Sequence, residues 1–366
     1  MKSLYLDANA TEPLRPEARE AVMAALDLVG NPSSVHADGR EARKLLELAR
    51  RQLAERFGAR PRDIVFCSGA TEANALAIQG LRGTRRVLVG ATEHPAVLRA
   101  APEAELLPVH GDGTVDLAAL EKALTGGEPA LVCLMAANNE TGVIHPLSDI
   151  SALCRDHGAL LHVDAVQAAG RVAITLETVG ADSMAISGHK LGGPKGAGAL
   201  LLRPGLSPNA IFAGGGQESG RRGGTEALPA IAGLAAAVAA ADPADADRLT
   251  VLRDGIEEAI LDLAPEARVI GAEAPRLPNT TSLLLPGVAA EMQVIALDIA
   301  GVRVSAGSAC SSGKVAVSPV LKAMGLGEEA GCAIRVSLPW NAPLDALSRF
   351  VEAWGAMRER ARRRAA

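Results

Sequence analysis

The chain has 366 residues, 48% of them apolar, and a formal net charge of -5, which suits a soluble globular protein large enough for two domains and excludes a disordered or fibrous one. No uninterrupted apolar run of about 18 residues occurs, and MKSLYLDANA at the start has no long apolar stretch before a cleavage pattern, so the sequence reads as cytoplasmic and without a membrane span. The small net charge argues against nucleic acid as a direct ligand. Five cysteines, at 67, 133, 154, 310 and 332, include no C-x-x-C pair, which argues against a disulfide framework or a thiol-rich zinc site.

Apolar periodicity predicts helices over 16–28 and 38–57, a strand over 63–68 (DIVFCS) and a helix over 71–81. The rhythm continues with strands at 86–89, 130–135, 159–163 and 183–186 and with helices near 115–124 and 147–157. Short apolar strands separated by helices are the pattern of a mainly parallel sheet covered on both faces. After Arg222 the texture changes to an alanine-rich helix over 227–240, broken near Pro243. A helix at 245–262, a strand at 280–285, a helix at 291–299, a glycine and serine loop at 306–313, a strand at 334–338 and a final helix from Pro343 follow. The expectation is an α/β chain whose large domain spans 12–235, with 1–11 and 236–366 forming a smaller α+β domain.

Ligands of open parallel sheets bind beyond the carboxyl ends of the strands, so chemistry is sought there. DIVFCS is followed by GATEANAL, where a glycine turn and Thr71 open a helix whose free N–H groups suit a phosphate. The segment is neither a P-loop nor a dinucleotide fingerprint, which ranks ATP and NAD low. Later strands end in ATEHPAV with His94, in NNETG with Asn138, Asn139 and Glu140, in Asp164 with Gln167 close behind, and in SGHK with Ser187, His189 and Lys190. Singly, each is most simply a cap or a turn, and His162 inside its strand reads as structural. Together they resemble what pyridoxal phosphate requires: an amine for a Schiff base, a carboxylate for the pyridine nitrogen, a flat imidazole and a phosphate cradle.

At this point the chain resembles the class V, fold-type I pyridoxal-phosphate enzymes, and among them the cysteine desulfurases that supply sulfur to iron–sulfur cluster assembly. The resemblance is carried in order by LYLDANAT (4–11), NPSSVHADG (31–39), IVFCSGATEANALAI (64–78), TEHPAV (92–97), NNETG (138–142), HVDAVQAAG (162–170), SGHKLGGPKGAGAL (187–200), GGGQESGRRGGTE (214–226), SAGSACSS (305–312) and IRVSL (334–338). It implies that Lys190 is the Schiff-base lysine and leaves Lys195 unassigned. It also implies that Asp164 pairs with the pyridine nitrogen, Gln167 with the ring hydroxyl oxygen, and His94 with the ring face. Thr71, Ser187, His189 and the backbone of Ala70 would hold the phosphate, while Asn139 and Arg335 receive the substrate carboxylate. Thr225 would reach the phosphate of a neighbouring subunit, which implies a homodimer.

Cys310 separates the reactions open to such a chain. It lies among glycines and serines in a segment expected to be mobile (about 306–316), whereas the other cysteines read as small core residues. In the implied reaction L-cysteine becomes L-alanine, sulfur stays on Cys310 as a persulfide, and an acceptor or cluster-scaffold protein takes it onward. His94 is one group to accept the thiol proton, because the thiolate is the nucleophile. No resident metal is implied; Cys310 is left as the residue to touch a cluster carried by an acceptor. An aminotransferase of a small amino acid explains Lys190 and Asp164 but gives Cys310 no task. A selenocysteine lyase and a non-catalytic partner protein complete the alternatives. The chain departs from the common family pattern at Glu12, where threonine is usual, at Ser219, where arginine is usual, and at Pro339-Trp340, where glycine is usual.

Overall fold

The computed structural model describes residues 3–242, 244–307 and 317–365. The N-terminal strand β1 (Leu4–Tyr5) is followed by α1 (Pro16–Leu26) and α2 (Ala37–Phe57), and then by the strands of the main sheet: β2 (Ile64–Cys67), β3 (Arg86–Gly90), β4 (Glu105–Leu107), β5 (Ala130–Met135), β6 (Leu160–Asp164), β7 (Ser183–Ser187) and β8 (Gly198–Leu202). Their order across the sheet is β2-β8-β7-β6-β5-β3-β4, with every strand parallel except β8. The central strands are buried along their whole length, as expected where helices cover both faces.

The antiparallel β8 was not distinguished in the sequence, and its direction follows from chain length. Only ten residues join β7 to β8, too few for a crossover helix, so the chain turns back beside the strand it has just left. That turn carries Lys190. It is tied by Gly188 N–H to Ala197 O at 2.9 Å and by the Leu191 and Gly193 N–H groups, both to Gly188 O, at 3.0 and 2.9 Å.

Helix α3 (Ala70–Arg82) begins immediately past β2. Gly198 at the start of β8 makes this entry possible, because a Cβ there would lie 2.7 Å from the Gly69 backbone. The helix N-terminus and the lysine turn are thereby brought to the same edge of the sheet. On the other face the alanine-rich helix Leu228–Ala240 packs against α1 and α2.

After these elements come β9 (Arg268–Val269), β10 (Thr280–Leu284), β11 (Val302–Arg303), β12 (Ser305–Ala306) and β13 (Ala333–Ser337). Four of them form an antiparallel sheet in the order β12-β13-β10-β9, while β11 pairs in parallel with β1. Leu4 and Leu6 from the chain start share one core with Phe350 and Trp354 of the last helix, Ala346–Ala365. Phe350 and Trp354 lie four residues apart on one helical face, and burial of each contributes on the order of 1.5–3 kcal/mol. The N-terminal strand therefore fixes Asp7, Asn9 and Thr11 between this core and the main sheet. No single helix among the described residues is long and apolar enough to cross a membrane.

Candidate active site

A cavity of about 620 Å³ opens at the carboxyl ends of the main-sheet strands, and it is lined by Ala70, Thr71, His94, Asn139, Asp164, Gln167, Ser187, His189, Lys190 and Arg335. All the predicted site residues except two are thus brought together. Thr225 is exposed and outside the lining of its own chain's cavity, and Cys310 lies outside the described residues. Lys195, unassigned from sequence, also lines the cavity, as do Asn9, Thr11, Asn74 and Gly307.

Asp164 ends β6 and is almost completely buried. Its Oδ2 accepts from Asn74 Nδ2 at 2.7 Å and its Oδ1 from Val166 N–H at 3.0 Å. Burial raises its pKa against the lowering effect of these bonds and of His94 and Lys190. Among the described residues it has no ion pair, so it is a buried carboxylate suited to a cationic N–H from a bound ligand. Behind Asn74, His162 places Nε2 2.9 Å from Asn74 Oδ1 and Nδ1 2.9 Å from Ser183 Oγ. Burial pushes the pKa of His162 down to about 4, so the ring is neutral. The chain is satisfied when Ser183 donates to His162, His162 to Asn74 and Asn74 to Asp164, and it holds the carboxylate in one orientation. His162, read from sequence as structural, supports through Asn74 the buried carboxylate that lines the cavity. Asn74 was missed, although an amide inside the otherwise apolar helix that opens at the strand end was its visible signal.

Lys190 Nζ donates to the carbonyls of Asn9 at 2.5 Å and Ala10 at 3.0 Å. His94 caps a short helix by accepting from Ala96 N–H through Nδ1 at 3.1 Å, which leaves Nε2 to carry the proton of the neutral ring. Its pKa is lowered, chiefly by burial, with Asp164 opposing and Lys190 adding to the shift. His189 pairs through Nδ1 with Thr11 Oγ1 at 3.0 Å, and burial, helped by Lys190 and Lys195, brings its pKa down to about 4. Helix α3 begins at Ala70, with no side-chain cap at Gly69. The open first turn faces Ser187 and His189 across the same cavity, which gives an anion a set of neutral N–H and O–H donors.

Arg335 on β13 is held by Asp7, Nη2 to Oδ1 at 2.6 Å, and by Asn139 O at 3.1 Å, while its buried Nε has no partner. The neighbouring Glu140 is buried, and its Oε2 accepts from Ser318 Oγ at 2.5 Å. The same oxygen closes over Gly307, where a Cβ would come within 2.1 Å of it. Gly307 and Ser318 flank the segment that contains Cys310, so one carboxylate touches both of its ends.

Of the other cysteines, 67, 133 and 154 are buried as expected, whereas Cys332 is only partly so. Burial raises the Cys67 and Cys154 thiols, the latter to about 12, which leaves them inert.

Fold and cavity together define a class: residues 4–350 match the aminotransferase class-V family. A cysteine desulfurase of Cereibacter sphaeroides is 42% identical over 338 residues, covering 88% of this chain and 87% of its own. Among solved structures, a NifS-like protein from Rickettsia africae superposes with a TM-score of 0.91 at 33% identity over 98% of this chain and 99% of its own. SspA in complex with cysteine gives 0.82 at 29% identity, covering 92% and 99%. The chain belongs to the cysteine desulfurases of the class-V aminotransferase family.

Proposed function

We propose that the cavity binds pyridoxal 5'-phosphate on Lys190 and that the chain converts L-cysteine to L-alanine, retaining the sulfur on Cys310 before an acceptor protein takes it. The observation that carries this reading is the convergence of Lys190, the buried Asp164 and the uncapped start of α3 on the cavity that Gly307, at the root of the Cys310 segment, also lines.

The residues fit the cofactor. Asp164, held by Asn74, would take the pyridine N–H, and Gln167 the ring oxygen. His94 would lie on the ring face. The α3 amides at Ala70 and Thr71, with Ser187 and His189, would take the phosphate. When bound, the cofactor supplies an electron sink for the pair left at the substrate α-carbon.

Lys190, whose Nζ donates to the Asn9 and Ala10 carbonyls when no cofactor is attached, would carry the cofactor and, once released by the substrate amine, would take the proton from the substrate α-carbon. Arg335 and Asn139 receive the substrate carboxylate; Asp7 occupies part of the guanidinium, so the substrate shares Arg335 with it. In the sulfur step the Cys310 sulfur forms an S–S bond with the substrate sulfur while the substrate Cβ–S bond breaks, its electron pair going to carbon. Protonated alanine leaves, the thiol having supplied the hydrogen, so cysteine plus thiol becomes alanine plus persulfide. His94, whose Nδ1 accepts from the Ala96 N–H, is the candidate to exchange the thiol proton, and taking it at Nδ1 would break that cap.

Exposed Thr225 supports a homodimer in which it reaches the partner's phosphate site, and the exposed apolar side chains of Leu26, Val29, Val35 and Phe212 are available to such an interface. The four described cysteines are unpaired, in keeping with a reducing cytoplasm. The recipient is a scaffold or thiolation protein of iron–sulfur or sulfur-transfer pathways.

The test is wild type against Cys310→Ser, both loaded with cofactor and given cysteine. Intact mass should show about 32 Da added per retained sulfur in wild type alone, as a covalent intermediate requires, while both proteins change the absorbance of the bound cofactor on meeting cysteine. Equal sulfide and alanine production by the variant would overturn the role of Cys310.

A further inference from the structure

Two of the positions at which the chain departs from its family's usual pattern touch each other. Glu12 Oε2 accepts from the Trp340 backbone N–H at 3.2 Å, and the Trp340 indole donates to Pro13 O at 2.8 Å while its ring lies 4.7 Å from the Arg15 guanidinium carbon. The other Glu12 oxygen takes Arg171 Nη2 at 3.2 Å. Each side chain of this ion pair is only 5% exposed. Burying two charges is costly and by itself a weak source of stability, so the use of the pair lies in what it places.

Arg171 Nη1 reaches two acceptors on Gln167, the backbone carbonyl at 3.1 Å and the side-chain Oε1 in a close contact. The Gln167 Nε2 donates to Asn9 O at 3.0 Å. These partners permit one amide orientation. A flipped amide would set N–H against guanidinium N–H and oxygen against a carbonyl oxygen, losing two buried hydrogen bonds. One Nε2 hydrogen is spent on Asn9, so what remains for the cavity that Gln167 lines is the second N–H. Arg171 and Glu12 share no local sequence context with Gln167 beyond the four residues separating 167 from 171; Glu12 arrives from the far end of the chain.

We propose that Arg171, held by Glu12, is a positioning residue that fixes the Gln167 amide so that the ring oxygen of the bound cofactor meets an N–H donor and never a carbonyl oxygen. The inference rests on the reading of the cavity as the cofactor site with Gln167 beside that oxygen. A donor there favours the deprotonated oxygen, so it lowers the pH at which the bound cofactor's visible band titrates. Trp340, by capping the second Glu12 oxygen, ties this setting to the strand that carries Arg335.

The experiment follows the visible absorbance of cofactor-loaded proteins from about pH 6 to 10, with thermal melts alongside. The double variant Glu12→Gln/Arg171→Met replaces the ion pair by neutral side chains of similar length, a change that buried pairs commonly tolerate. Its titration midpoint is expected to rise by about one unit, the size of one lost hydrogen bond. Gln167→Leu should shift it equally, and the triple variant no further, because Arg171 acts through Gln167. A shift in Gln167→Leu with none in the double variant overturns the positioning role. A wild type without a titrating visible band, or a Gln167→Leu midpoint that does not move, overturns the underlying assignment of the cavity instead. Should the double variant fail to fold, Arg171→Lys keeps a cation beside Glu12 but loses the fork that spans both partners; an upward shift supports the proposal and an unchanged midpoint overturns it.

Discussion

Arg50 grips Glu218 with both terminal guanidinium nitrogens, at 2.9 and 2.8 Å, beneath the glycine-rich segment that leads to Thr225. Phe66 N–H adds a third bond to the same carboxylate at 2.9 Å, and the Arg50 guanidinium lies 4.8 Å from the Phe66 ring centre. Glu218 is thus a buried charge fully committed to α2 and β2. Arg50→Ala strands it, a loss expected to cost about 3–5 kcal/mol. Urea unfolding reads the stability, and sedimentation reads whether the proposed dimer loosens with it.

Ser219 adopts a left-handed backbone, φ 58°, directly after Glu218 at 49°. Its side chain is exposed and makes no hydrogen bond among the described residues. Ser219→Gly should therefore stabilise the chain by roughly 0.5–1 kcal/mol, read as a higher denaturant midpoint with unchanged slope.

His162 lends stability as a neutral ring, so its contribution is whole above the unfolded pKa of 6.5 and is lost as pH falls toward its folded value of about 4. In that window the unfolded chain binds the extra proton. His162→Gln has no such titration. The stability difference between the two proteins should move against wild type by about 1.4 kcal/mol per pH unit across the window, and a pH-independent difference would remove the neutral ring from the account.

Lys190→Ala should remain folded, yet on the proposed reading turnover should fall by at least about 10³-fold, since both the cofactor attachment and the proton transfer would be lost. Borohydride treatment of the wild type followed by peptide mapping should mark Lys190. A mark on Lys195 would move the assignment to the second lysine of the cavity.

Mixing Thr225→Ala with Lys190→Ala subunits tests the shared site. In the heterodimer, one site has its own lysine and the partner's intact threonine, while the other has neither. Cofactor retention at the lysine-bearing site should return to wild-type level, having fallen in the Thr225→Ala homodimer by the loss of one charge-assisted bond, about 1.5–3 kcal/mol. Retention no better than in that homodimer would place Thr225 outside the partner's site.

Most of the cavity was legible because its residues sit where strands end, and strand ends are visible as the close of an apolar run. His94, Asp164 and Lys190 were found in this way. What escaped belongs to contacts across the chain: Arg171 takes its meaning from Glu12, and Asn74 from His162, partners that no local period brings together. The predicted start of the last helix at Pro343 also shifted, to Ala346, since a proline opens a turn as readily as a helix. The reversed β8 was hidden for a different reason. An apolar five-residue run reports burial on both faces and says nothing of direction.

Glu140 lies against Gly307 and bonds to Ser318, so the two described ends of the intervening segment meet at one carboxylate. Cys310 follows Gly307 by three residues in the sequence. On the proposed chemistry, so short a sequence separation would keep sulfur transfer close to the cavity that Gly307 lines. Delivery would then fall to the recipient, which must bring its own accepting atom to the cavity beside Gly307.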